Sequence, residues 1–209
     1  MKNYYFEGSP IAAPLTISSN EPVFVSESIS LGQTRRSQGS QRWELTFSVQ
    51  PLGEQTPLVF LNSVRSGSTV GEMVMPQLLH VEENLSTDGS GLKISVDAAA
   101  NASEVNVYCP SCFLSGNNIF LPAGAFINFA GHSKLYVITA KYDSSSDTSL
   151  EIFPSLRKEV LAGTEVFYPG YSGPELSLKY WRSNSEIKGV TYEDGVLASL
   201  FKLNLLEDV

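Results

Sequence analysis

Leu121 to Leu156 reads LPAGAFINFAGHSKLYVITAKYDSSSDTSLEIFPSL, and this stretch decides the fold class. Pro122-Ala123-Gly124 turns the chain into Phe126-Ile127-Asn128-Phe129, and Gly131-His132-Ser133 turns it again into Leu135-Tyr136-Val137-Ile138-Thr139-Ala140. Both runs are rich in aromatic and β-branched residues between turn formers, the composition of short strands. A polar loop from Asp143 to Ser149 leads into Leu150-Glu151-Ile152-Phe153, and Pro154, which cannot donate to a ladder, ends it. Three consecutive strands make a meander. In Leu135 to Ala140 both alternating sets are mostly apolar, so this strand is predicted to be covered on both faces at the centre of a small barrel or sandwich.

Working outward, Leu92, Ile94 and Val96 alternate with polar residues, and Val105 to Tyr108 reads as a second strand. With the meander these give about five short strands, the number of a small OB-like β-barrel of the Greek-key type, and Gly163 to Phe167 closes the unit. The polar, glycine-rich segment Asn84 to Gly91 and the turn-rich Tyr168 to Pro174 bracket this unit. The predicted organisation is therefore an inserted barrel over residues 85–167 and a discontinuous domain of residues 1–84 and 168–209.

In the outer domain the cleanest pattern is Arg42 to Val49, with Trp43, Leu45, Phe47 and Val49 on one face and Arg42, Glu44, Thr46 and Ser48 on the other. A short helix is predicted after Thr56 and Pro57, carrying Leu58, Phe60, Leu61 and Val64 and ending at Gly67. Glu72 to Met75 resumes as a strand. Val23 to Leu31 reads as an edge strand with Val23 and Val25 inward, and Gly32 to Gln41 as a loop. Val196 to Leu206 fits a strand through Leu197, Phe201, Leu203 and Leu205, and nearly as well a helix through Leu197, Leu200, Phe201 and Leu205.

Charged residues make up 17% of the chain, below the usual figure of about 25%. The net charge is −8, which offers no footprint for gripping a phosphate backbone and excludes specific nucleic-acid binding. No stretch approaches the ~20 apolar residues of a spanning helix, and residues 1–19 lack the continuous apolar core of a signal peptide. The expectation is a protein folded in a cytoplasm, with no membrane partner.

Chemical motifs are few. Cys109-Pro110-Ser111-Cys112 follows a β run, whereas a redox pair of this spacing opens a helix in a βαβ unit. A zinc site needs about four ligands, and His80 and His132 lie far from the cysteines in sequence. Buried or turn cysteines without chemistry are expected. Asp143 and Asp147 flank a serine loop that lacks the glycine and terminal glutamate of a calcium loop, so it reads as a solvated hairpin turn. No nucleophile elbow, phosphate-cradling loop or Ser/His/Asp order is present. No catalytic residue, cofactor or metal is expected, and the chain is not read as an enzyme. Arg35, Arg36 and Arg42 form the one local cluster of basic residues and are the candidates for contacts to a neighbouring subunit, against the alternative of a solvated turn. Tyr180 and Trp181 are expected in the core.

The pieces resemble the distal tail proteins of long-tailed bacteriophages, of the coliphage type with a small OB-like barrel inserted in a β-sandwich. The matching residues are Gln41-Arg42-Trp43-Glu44-Leu45-Thr46-Phe47 before the short helix and Glu72-Met73-Val74-Met75-Pro76 after it. Gly124-Ala125-Phe126-Ile127, His132-Ser133-Lys134-Leu135-Tyr136-Val137-Ile138 and Ile152-Phe153-Pro154-Ser155-Leu156 complete the match. The resemblance implies a structural protein of the virion tail, assembled in the host cytoplasm. It implies a hexameric ring at the tail tip, self-associating and joining the tail tube protein to the baseplate hub protein around the DNA conduit. In some members of that family the barrel anchors tail fibres or binds saccharide. A second expectation is therefore a saccharide- or receptor-binding module, with Tyr108, Phe113, Phe120, Phe126, Phe129 and Tyr136 as a stacking face.

Overall fold

A computed structural model of the chain describes residues 5–6, 9–27, 33–37, 41–49, 70–75, 91–110, 112, 118–169, 176–182, 192–193, 196–197 and 201–208, and the regular structure found there is β. The strands, in chain order, begin with β1 (Tyr5–Phe6), β2 (Ser9–Asn20), β3 (Val23–Glu27), β4 (Gln33–Ser37), β5 (Arg42–Val49) and β6 (Gly71–Val74). Next come β7 (Leu92–Ile94), β8 (Glu104–Tyr108), β9 (Phe120–Leu121), β10 (Phe126–Phe129), β11 (Tyr136–Ile138), β12 (Tyr142–Asp143), β13 (Ser149–Phe153) and β14 (Glu165–Phe167). The last are β15 (Ser177–Arg182), β16 (Tyr192–Glu193), β17 (Val196–Leu197) and β18 (Phe201–Glu207). The predicted short helix lies outside the described residues. Two compact units result, one of Met1–Met73 with Lys179–Val209 and one of Val74–Leu178; sequence composition places the edges at 84/85 and 167/168.

The first unit carries a six-stranded sheet in the order β1-β2-β5-β18-β15-β6. Strict alternation in β5 becomes strict alternation of burial: Trp43, Leu45, Phe47 and Val49 are buried, and Arg42, Glu44, Thr46 and Ser48 are half-buried. β18 pairs with β5 antiparallel, setting Leu203 opposite Phe47 and Leu205 opposite Leu45. Both leucines are fully buried, so period 2 wins over period 3.6 in this run. On the other side β2 pairs with β5 through a register shift between Ala12 and Thr16. Pro14 sits inside that shift, where its missing N–H costs the ladder nothing. The Phe6 ring packs 5.4 Å from Phe47 and 5.6 Å from Tyr180. Gly71 lies so close under Tyr180 that a Cβ there would meet the ring's Cζ and stand 2.6 Å from its hydroxyl oxygen. Where the β18 ladder ends, the Glu207 carboxylate accepts the Trp43 N–H at 3.1 Å. Tyr180 is buried as expected, but Trp181 is 41% exposed, because one step along a strand turns a side chain to the other face.

The second unit is a closed barrel in the order β10-β11-β13-β8-β7-β14. β10, β11 and β13 form the expected meander, with Ile127 opposite Tyr136 and Ile138 opposite Ile152. Gly131 takes φ +82° in the turn between β10 and β11, a conformation that suits glycine. β8 pairs with β13, β7 with β8, and β14 closes the circle between β7 and β10. Inward residues from all six strands fill the interior, among them Leu92, Ile94, Val105, Val107, Ile127, Phe129, Tyr136, Ile138, Leu150, Ile152 and Val166. The Tyr136 hydroxyl accepts the Arg157 N–H at 3.2 Å, which satisfies its polar end. Two expectations are corrected. Val137 is only half-buried and Thr139 is exposed, so the 135–140 strand is covered fully on one face alone. Val96 is 58% exposed because the strand stops at Ile94.

Candidate assembly surface

The clearest departure from self-sufficient packing is the hairpin of β3 and β4. Pro22 precedes β3, and Val23-Phe24-Val25 supplies β-branched and aromatic residues that favour extended backbone. β4 pairs with it from Val23 opposite Ser37 to Glu27 opposite Gln33. The two strands form a sheet of their own. The sequence pattern predicts a loop over 32–41 and Val23 and Val25 turned inward; instead Gln33–Ser37 is a strand, and every residue of β3 is exposed. Val23, Phe24 and Val25 are 48%, 66% and 54% exposed. A strand usually hides one of its two faces, and this one hides neither. An isolated two-stranded hairpin is at best marginal in water, and apolar side chains exposed on both of its faces are surface for association.

The basic candidates lie on or near this hairpin. In backbone register Arg35 stands opposite Val25 and Arg36 opposite Phe24. Arg42 opens β5, paired with Asn20 of β2, and is half-buried. Residues 23–37 hold two arginines and one glutamate, a net +1 in a chain of −8. The hairpin thus combines apolar side chains with a net positive sequence charge in a chain that is acidic as a whole, electrostatically suited to another copy of it.

The barrel's aromatic residues are mostly not available as a stacking face. Phe129 and Tyr136 are fully buried and Phe126 is 5% exposed. Phe120 is half-buried, Tyr108 is 41% exposed, and Phe113 lies outside the described residues. On the outer surface Glu104 is paired with Glu151 across β8 and β13, and Lys93 with Glu165 at 3.6 Å.

Cys109 and Cys112 are joined in a disulfide with Cα atoms 5.4 Å apart, a pairing that the sequence leaves open. Closing a ring of only four residues restrains little of the unfolded chain, ~2 kcal/mol in the chain-entropy account. His132 packs edge-on against Phe129 at 6.0 Å; burial pushes its pKa down, partly countered by a hydrogen bond to the Glu159 backbone. His80 lies outside the described residues. Among the described residues no group of three His, Cys, Asp or Glu side chains gathers to hold a metal.

The Asp143 to Asp147 turn satisfies itself. Asp147 Oδ2 accepts the Asp143 N–H at 2.7 Å, and Asp143 Oδ1 accepts the Ser145 N–H at 2.9 Å and its hydroxyl at 2.7 Å. Those bonds to Ser145 hold the Asp143 carboxyl below its ordinary pKa. Beside them the Tyr142 hydroxyl is buried without a hydrogen-bond partner. Burial, then the Asp147 and Asp143 charges, pushes its pKa up to about 12.

Among the described residues no helix is long and apolar enough to cross a membrane. No protein-family model matches the chain, and no curated protein matches its sequence.

Proposed function

We propose that this chain is a non-enzymatic structural protein of a bacteriophage tail tip. In this reading copies of it close a hexameric ring that joins the tail tube to the baseplate hub around the DNA conduit. The sheet unit belongs to the ring-forming β-sandwich domain, and the barrel is an OB-like insertion to which tail fibres attach. The observation that carries the reading is the β3–β4 hairpin, whose Val23, Phe24 and Val25 stand exposed, uncovered by the described residues. A ring supplies that cover from the next subunit, because each protomer in a closed ring offers one surface and receives another. The resemblance to distal tail proteins supports a tail-tip location and a ring of six. The net charge of −8 suits a conduit wall that a polyanion must pass without sticking. A saccharide-binding role for the barrel is not favoured, since Phe126, Phe129 and Tyr136 are spent on packing.

Averaged electron images of assembled particles, with the chain located by antibody labelling, test the proposal. A ring at the tail tip is expected; label found elsewhere on the particle, or on no particle, would overturn it.

A further inference from the structure

The Cys109–Cys112 bond has chemistry that the ring reading does not use. It joins residues three apart and ties no distant parts of the barrel together. The core runs from Leu92 to Tyr168 through contacts from all six barrel strands. The two sulfurs are unlike. Cys109 is 4% exposed, inside that core, whereas Cys112 is half-buried and packs against it. Each sulfur also has a hydrogen-bond donor directed at it. The Cys112 backbone N–H donates to Cys109 Sγ at 3.1 Å, and the Ser144 hydroxyl donates to Cys112 Sγ at 3.7 Å. Ser144 is itself fixed, accepting the Ile119 N–H at 2.8 Å and donating its own N–H to the Ile119 carbonyl at 3.0 Å. A donor aimed at sulfur favours the thiolate over the thiol, and a better-stabilised leaving thiolate departs faster in exchange.

We propose that Cys109–Cys112 is an exchangeable disulfide, opened and closed by an external dithiol while the barrel stays folded, with Cys112 the sulfur that is attacked. The first thiolate of the dithiol forms a bond to Cys112 Sγ, and the Cys109–Cys112 bond breaks. Its electron pair leaves on Cys109, where the Cys112 N–H receives the charge. The second thiol of the reagent, losing its proton, then attacks the reagent's own sulfur in the mixed disulfide. Cys112 leaves as a thiolate facing the Ser144 hydroxyl. The dithiol ends as a cyclic disulfide and the protein as a dithiol, with two electrons and two protons transferred. Disulfides persist in oxidising surroundings and are kept open in a reducing cytoplasm; a bond that exchanges without unfolding lets one fold exist in both. The inference is independent of the ring.

The test uses the full chain equilibrated with reduced and oxidised dithiothreitol, alkylated and weighed, with circular dichroism alongside. Both cysteines are expected to open together, with the β spectrum and the melting transition retained. With oxidised glutathione, Cys109→Ser is expected to exchange one glutathione onto Cys112, releasing the other half as reduced glutathione, and Cys112→Ser to carry none. Ser144→Ala is expected to slow release of Cys112 by roughly two- to tenfold, the size of one hydrogen bond. Thiols that appear only in denaturant, loss of the melting transition on reduction, or an adduct on Cys109 in folded protein would each overturn the proposal.

Discussion

The β3–β4 hairpin and the closed barrel are built from the same kind of strand and end in opposite states. In the barrel, β10 pairs with β11 and β14, so it has a neighbour on each side, and Ile127 and Phe129 project into a shared interior. In the hairpin, β3 has a neighbour on one side, and its Phe24 projects into solvent. Closure removes the edges and the apolar surface together. A hairpin with no third strand among the described residues keeps both, so packing on the described residues contributes little to its stability.

That comparison can be broken by treating the two regions alike. Ile127→Ala removes a fully buried side chain and is expected to cost about 2–5 kcal/mol of stability, read as a lower denaturant midpoint. Phe24→Ala, at 66% exposure, is expected to leave the monomer's midpoint unchanged. Equal losses at both positions would mean that the hairpin is packed against its own chain after all.

The sheet unit sharpens the contrast from the packing side. Gly71→Ala would drive a methyl group into the Tyr180 ring. Overpacking of this kind costs about 1–3 kcal/mol, and Gly71→Ala with Tyr180→Leu is expected to recover part of it in a double-mutant cycle. Absence of coupling would show that the strand shifts away instead.

The smallest expected effect is inside the barrel unit. Tyr142→Phe deletes a buried hydroxyl that has no partner, so stability is expected to stay level or rise by about 1 kcal/mol. The same variant should remove a phenol that ionises near pH 12 in an alkaline absorbance titration. The sign follows from the raised pKa: the folded state holds this proton more tightly than the unfolded chain, whose phenol titrates near 10. The contribution is full below pH 10 and is lost as the pH rises towards 12, making the wild type lose stability in that window faster than Tyr142→Phe.

β5, β7, β8 and β13 were legible because burial there follows a period-2 alternation that sequence carries directly. Val196 to Leu206 was not, since leucines at 197, 200, 203 and 205 satisfy two periods at once; pairing with Phe47 and Leu45 decided it. Trp181 was misplaced by type, as a large aromatic is assumed to be buried, although its parity with Tyr180 already turned it outward. The hairpin was misread for a deeper reason. Val23 and Val25 look like inward residues of any edge strand, and nothing in Val-Phe-Val says whether a partner surface exists in the same chain. The disulfide was hidden in a similar way, because a Cys-x-x-Cys spacing permits a bond, a metal site or two free thiols. The assembly candidates Arg35, Arg36 and Arg42 were visible as a local cluster of basic residues. Their setting, on and beside an uncovered hairpin, was not.

Native mass spectrometry of the wild-type chain against Phe24→Asp, over rising concentration, tests the central claim most directly. A closed oligomer of six subunits is predicted for the wild type, and a folded monomer with an unchanged barrel for the variant. A wild type that remains monomeric throughout, or a variant that assembles as well as the wild type, would contradict it.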